Sequence, residues 1–230
     1  MTDQTPAATL AALLEGRRSC RAFRNDPVNR SEIRAVVDTA PHAPSWCNTQ
    51  PWDLLVTECE TTERFRKALS EHVRTGTEEM PDLPFPVSYD GAYLDRRREC
   101  GWQLYESVGV ARGNREASGR EMLRNFEFFG APHLAVLTTD RNLGTYGAVD
   151  CGLFIQSFLL AARSHGIATV AQAAIASQAA FVRDFFELPP DRLVLLGISF
   201  GYADDSHPAN GFRTRRRTAE EILTWASELK

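Results

Sequence analysis

The feature that most constrains the fold is a long apolar segment at residues 147–165, closed by Gly166 and carrying small residues over much of its surface. The spacing predicts one long helix. A helix that is apolar around most of its circumference is stable when covered on most sides, either in a core or between subunits. Its most apolar part, Cys151 to Ala162, falls short of the roughly 20 residues a bilayer span requires.

The rest of the chain must therefore supply layers against this helix. Apolar runs predict strands at Asp53–Thr57, His133–Leu137, 167–171 and Arg192–Phe200, with a short extended piece at 22–24. Helices are expected at 6–15, ending at Gly16, at 62–75 and at 178–187. Asn29-Arg30-Ser31-Glu32 reads as a capping-box start, followed by Ile33, Val36, Val37 and Ala40 at helical spacing, with Pro41 and Pro44 as stops. Thr218-Ala219-Glu220-Glu221 reads as a capping box opening a terminal helix. The order is mixed, α+β, with more helices than strands.

Residues 77–91 differ in kind: Pro81, Pro84 and Pro86 exclude a helix interior. Polar helical stretches follow at 92–108 and 114–129. At 230 residues the chain fits one domain over 1–230, with 77–129 as an inserted helical excursion that packs lid-like over a site; a peripheral helical pair is the plainer alternative.

A net charge of −4 provides no broad basic field, so nucleic acid is not an expected partner. Five cysteines, odd in number, widely spaced and without C-x-x-C, argue against a disulfide framework or a zinc centre. The five histidines show no metal-like spacing, and no metal is expected. Free thiols and the lack of a basic n-region before an apolar core in Met1–Leu14 fit a cytoplasmic protein with no membrane partner.

Within this acidic chain the arginines are local. Arg17, Arg18 and Arg21 follow a helix stop; Arg213, Arg215, Arg216 and Arg217 precede the terminal helix, whose N-terminus also favours anions. Guanidinium forks suit phosphate, and two such clusters can clamp one phosphate between them. Either cluster alone reads more readily as a solvated surface patch; the loop between them shifts that balance. Between them lies a proline-bracketed loop, Pro44-Ser45-Trp46-Cys47-Asn48-Thr49-Gln50-Pro51. Asn48 and Gln50 each offer one acceptor and two donors, which suits the alternating edge of a pyrimidine ring. The competing reading is a turn whose amides cap local backbone groups. Phosphate at one end and a flat heterocycle at the other describe FMN. No G-x-G-x-x-G or P-loop pattern occurs.

Arg17-Arg18-Ser19-x-Arg21, followed by Ala43-Pro44-Ser45-x-x-Asn48-Thr49-Gln50-Pro51-Trp52, resembles the signature of the nitroreductase family of FMN-dependent oxidoreductases. Phe129-Gly130-Ala131-Pro132-His133 and Gly197-Ile198-Ser199-Phe200-Gly201-Tyr202 resemble the family's entry to and exit from its core strands, so the likeness covers nearly the whole chain. Arg96-Arg97-Arg98 through Gly109-Val110-Ala111-Arg112 resembles a bacterial branch with a longer insertion.

The resemblance implies a nitroreductase-like α+β sheet flanked by helices, an intertwined homodimer with helix 147–165 as its spine, and FMN at the subunit interface. It implies that Arg17, Ser19 and Arg21 hold the phosphate and ribityl chain, with Arg18 acting partly through its backbone. Pro44, Ser45, Asn48 and Gln50 would line the isoalloxazine, and Gln172 and Ala173 would present backbone amides near the flavin N5. Of the late arginines, Arg216 aligns best with the phosphate position and Arg213 next. No side chain is assigned as a catalytic acid or nucleophile, because the flavin performs the redox step. NADPH or NADH is the implied donor, and a small aromatic nitro or quinone compound the acceptor, in ping-pong turnover. Tyr93, Arg96, Arg97 and Trp102 are the implied lid and substrate residues; a salt-bridged helix face is the alternative, given Asp95 and Glu99. Reductive dehalogenation of halotyrosines or halophenols, flavin fragmentation and a non-catalytic flavin-binding module are the rival readings.

Overall fold

A computed structural model describes residues 5–228. Four strands form one antiparallel sheet in the order β1-β2-β4-β3: β1 is Asp53–Val56, β2 His133–Asp140, β3 Ala168–Gln172 and β4 Arg192–Gly201. The central strands are buried on both faces, with Leu134 to Leu137 of β2 fully covered. Such strands read as continuous apolar runs, which is why the sequence located them.

Each face of the sheet carries its own core. On one side, α6 (Gly144–Ser164) and α2 (Arg30–Thr39) cover Ala135, Leu137, Ile198 and Phe200. On the other, Phe65 of α3 (Cys59–Arg74) meets Phe128, Phe185 and Phe186, with ring centroids 5.6, 4.8 and 4.5 Å away. Helix α7 (Ala173–Ala176) lies directly on β4: a Cβ at Gly197 would stand 2.8 Å from Ile175 Cγ1 and 3.0 Å from Leu134 Cδ1, so this strand position requires glycine. Helix α8 (Ala179–Phe186) follows it.

Several expectations change at element ends. Asn29 caps α2 without bonding its backbone; its amide donates to Glu32 Oε2 at 3.2 Å, so no capping box forms there. The helix expected over 114–129 is α5, Arg115–Leu123. It stops early because Phe128 and Phe129 adopt positive φ (57° and 52°) in a tight turn that turns both rings into the core. The terminal helix is the single turn α9, Ala219–Ile222, although its capping box does form. So short a helix adds little dipole to the arginines before it.

Helix α6 also departs from expectation. With the turn before it, Arg141–Ser164 is long and apolar enough to cross a membrane, at mean hydropathy 1.3, unlike the shorter segment read from sequence. It is covered on one face by the sheet, through Phe154 and Phe158. On the other face Tyr146, Val149 and Leu153 are 59, 52 and 43% exposed, and Leu10 and Leu14 of α1 (Pro6–Gly16) are exposed as well.

Candidate functional site

The two arginine clusters, almost 200 residues apart, meet in one cleft of about 300 Å³ lined by Arg17, Arg18, Ser19, Arg21, Arg213 and Arg216. Backbone pairing brings them together. Residues 22–24 run alongside 202–204, with Arg24 N–H donating to Tyr202 O (2.9 Å) and Asp204 N–H to Ala22 O (3.0 Å). Asn210, a residue the sequence reading missed, locks the crossing. Its Oδ1 accepts the Arg21 N–H at 2.8 Å, and its Nδ2 donates to Ala22 O (2.9 Å) and Asp204 O (2.8 Å). It is buried, and its own carbonyl accepts from Arg213 Nη1 at 3.0 Å. An asparagine two residues after a proline has many uses, so no local signal marks it.

The cleft is electrostatically unfinished. Burial pulls the Arg17 guanidinium below its ordinary pKa, and the nearby Arg216 charge pulls it further. Burial also lowers Arg21, against weaker raising influences from Cys100, Glu121 and Cys20. Both stay protonated near neutrality. Neither makes an ion pair among the described residues. Partly desolvated cations without a carboxylate are costly unless an anion joins them, and this donor set fits a phosphate. Arg18 is different: its side chain turns away to Asp205, so within the cleft it has mainly backbone to offer. Arg215 is taken by Glu221 at 3.1 Å.

The proline-bracketed loop lies elsewhere. Cys47, Asn48 and Gln50 all adopt positive φ (51°, 57° and 47°), a left-handed conformation costly for cysteine and glutamine. Gln50 N–H donates to Ser45 Oγ at 3.0 Å, Gln50 Nε2 to Asn48 Oδ1 at 3.3 Å, and Trp46 N–H to the Asp150 carboxylate at 3.0 Å. Trp46 also packs edge-on against Tyr146, with centroids 4.6 Å apart. The loop thus rests on the first half of α6. The arginine segment rests on its last turn, where Arg163 lies against Gly16. At 1.5 Å per residue, Asp150 and Arg163 are roughly 20 Å apart along the axis. Within one chain, Ser45, Asn48 and Gln50 do not reach the cleft.

Gln172, at the end of edge strand β3, is 3% exposed. Its Nε2 donates to Asn125 O at 2.8 Å, and its Oε1 accepts the Ser199 hydroxyl. The side chain is fully engaged, so this junction can offer a ligand its backbone and the exposed Ala173.

The 77–129 stretch contributes one residue, Cys100, to the lining of the arginine cleft. Its irregular part is pinned to the core through Asp82, which pairs with Arg183 and accepts the Val194 N–H at 2.7 Å. Helix α4 (Gly91–Ser107) then brings Cys100 to the cleft wall, and Arg124 after α5 donates to Arg21 O at 3.2 Å. The four residues named for the lid are not brought together. Arg96 opens onto an adjoining cavity beside Arg215, Arg216 and Arg217. Tyr93 points outward with Arg96 over its ring at 5.7 Å, and Arg97 stacks on Tyr89 at 5.1 Å. Trp102 faces a separate hollow, stacked under Arg112 at 4.1 Å. The alternative salt-bridged face is absent too: among the described residues neither Asp95 nor Glu99 makes an ion pair. Arg96 and Arg97 of α4 stack on aromatic rings instead.

A four-stranded antiparallel sheet with a long core helix and a paired arginine cleft defines a class, and comparison with known proteins names it. The model of the Nitroreductase family matches residues 14–202, and the chain belongs to that family. It is 38% identical over 217 residues to nitroreductase NfnB of Mycolicibacterium smegmatis, covering 93% of this chain and 91% of that protein. It is 33% identical to a nitrobenzene nitroreductase of Ectopseudomonas oleovorans, covering 94% of this chain and 96% of the relative. The crystal structure of FMN-dependent NfnB from Mycobacterium smegmatis in complex with NADPH superposes with a TM-score of 0.91 at 35% identity, covering 96% of this chain and all of that one.

Proposed function

We propose that this chain is an FMN-dependent nitroreductase that takes electrons from NADPH and reduces small nitroaromatic compounds. The observation that carries the reading is the arginine cleft: partly buried cations, Arg17 and Arg21 among them without carboxylate partners, from two distant segments, converging where the family signature expects a phosphate. Arg17, Ser19, Arg21, Arg213 and Arg216 hold the phosphate and ribityl chain, and Arg18 contributes backbone. Bound FMN supplies hydride acceptance from the nicotinamide and its delivery, in a ping-pong cycle, to a nitro or quinone acceptor.

The ring end of the site comes from a second copy. An isologous two-fold contact places each residue against its partner's counterpart in reverse order. Packing of the exposed Tyr146–Val149–Leu153 face of α6 on its copy brings each chain's proline-bracketed loop, which rests on the first half of α6, against the partner chain. Ser45, Asn48 and Gln50 then meet the partner's arginine cleft, and the positive-φ strain of the loop is the cost of presenting their amides to the flavin edge. The single domain, residues 1–230, carries 77–129 as an excursion that closes over the phosphate end, in a cytoplasmic homodimer.

The test is an absorbance spectrum of the purified protein followed by anaerobic NADPH. Yellow protein that bleaches, then regains colour with a nitroaromatic, is the expected result. Protein that takes up no FMN overturns the reading.

A further inference from the structure

We propose that a second anion site lies on the back of the Arg17–Arg18 segment, built by Arg17, Arg18, Arg24 and Arg163, and that it takes a phosphoryl group separate from the flavin phosphate. It rests on the flavin reading in one respect: that reading assigns the front cleft to FMN, with Arg17 and Arg18 on the wall the two pockets share, and uses neither Arg24 nor Arg163. The pocket, about 220 Å³, lies between the last turn of α6, the start of β3 and the chain leaving β4. Four guanidinium groups line it against one carboxylate, Asp205, a local charge of +3 in a chain whose net charge is −4.

Two of the four are only partly neutralised. Arg18 pairs with Asp205, yet its Nε is buried with no acceptor. Arg24 stacks over Tyr202 at 5.2 Å and reaches Asp26 at 3.2 Å. Arg17 and Arg163 have no carboxylate partner among the described residues. Their approach is built in: a Cβ on Gly16 would stand 2.8 Å from Arg163 Nη2, so the glycine admits the guanidinium against the backbone next to Arg17. Converging forks of this kind match the oxygens of a phosphoryl group. The volume lies below the range of whole small-molecule pockets, so a phosphate group fits and a nucleoside does not. Two sources share that chemistry: free phosphate or pyrophosphate, and the 2′-phosphate of NADPH.

The experiment titrates inorganic pyrophosphate into the FMN-saturated protein by calorimetry at constant ionic strength. One site per chain is expected, weakened at least tenfold in Arg163→Gln and several-fold in Gly16→Ala, which displaces Arg163 without changing charge. FMN content, read by absorbance on the same samples, stays unchanged and reports separately on the flavin reading. Absence of binding, or equal binding in both variants, overturns the site. Loss of FMN from Arg163→Gln overturns it as well, since Arg163 would then serve the front cleft. With the site present, a KM for NADPH that rises in Arg163→Gln while that for NADH holds assigns the group to the dinucleotide; unchanged values for both assign it to a free anion.

Discussion

The arginine cleft and the proline-bracketed loop carry equally recognisable motifs, yet the chain treats them differently. The cleft is assembled within one chain: Asn210 ties its two segments, the 22–24 and 202–204 pairing aligns them, and Cys100 of α4 joins their wall. The loop is assembled locally, by Ser45, Asn48 and Asp150, and the bond between the Gln50 and Asn48 amides stays within the loop. A charged cluster needs enclosure to be strong, because solvent screens exposed pairs. A hydrogen-bonding edge needs a rigid frame, and a strained turn anchored to a helix provides one. In the proposed dimer, one site is then split between a pocket from one chain and an edge from the other.

The largest effect should come from emptying the cleft. Arg17→Ala combined with Arg216→Ala removes two charge-assisted contacts worth about 1.5–3 kcal/mol each, so FMN affinity should fall by roughly 10²–10⁴. The α6 face is untouched, and the oligomeric state should be unchanged by light scattering. Flavin content equal to wild type would remove the phosphate assignment.

Mixed dimers sharpen the comparison further. One partner carries Arg17→Ala and Arg216→Ala, the other Ser45→Ala and Asn48→Ala. If each site draws cleft and loop from opposite chains, the mixed dimer holds one intact site and binds about half the wild-type flavin. If each chain builds its own site, both sites are damaged and flavin uptake drops for both.

Asn210→Ala should be intermediate. It removes three hydrogen bonds at a buried crossing, each contributing roughly 1 kcal/mol net. A loss of about 2–3 kcal/mol by urea denaturation is expected, with weaker FMN retention, while loop variants such as Ser45→Ala stay within about 1 kcal/mol. Equal losses at both positions would erase the distinction between the two regions.

The smallest effect is a pH dependence outside both. Buried His133 is held neutral: Nε2 accepts the Val28 N–H at 3.0 Å, Nδ1 faces Thr57 O at 3.0 Å, and the ring stacks on Phe200. Burial lowers its pKa from 6.5, opposed by the Thr57 carbonyl and Glu58. The unfolded chain therefore takes up more protons below that value. Stability is full above pH 6.5 and is lost as the pH falls toward the folded value, by at most about 1.4 kcal/mol per pH unit. The urea midpoint should follow this course in wild type and flatten in His133→Asn.

The sequence by itself determined the strands, the helices, the α+β class and both motifs, because each is local: apolar runs, helical spacing, proline and glycine stops, and arginines gathered within five residues. The shortness of α5 and α9, the inward turn of Gln172 and the outward turn of Arg18 were decided by tertiary structure. So was the scattering of Tyr93, Arg96, Arg97 and Trp102 over different surfaces. In each case the deciding partner is distant in sequence: Ser199 and Asn125 for Gln172, Asp205 for Arg18, the aromatic cluster for Phe128. Asn210 shows the limit most plainly, since two of its bonds reach backbone atoms of Arg21 and Ala22 at the other end of the chain and leave no pattern in a single sequence.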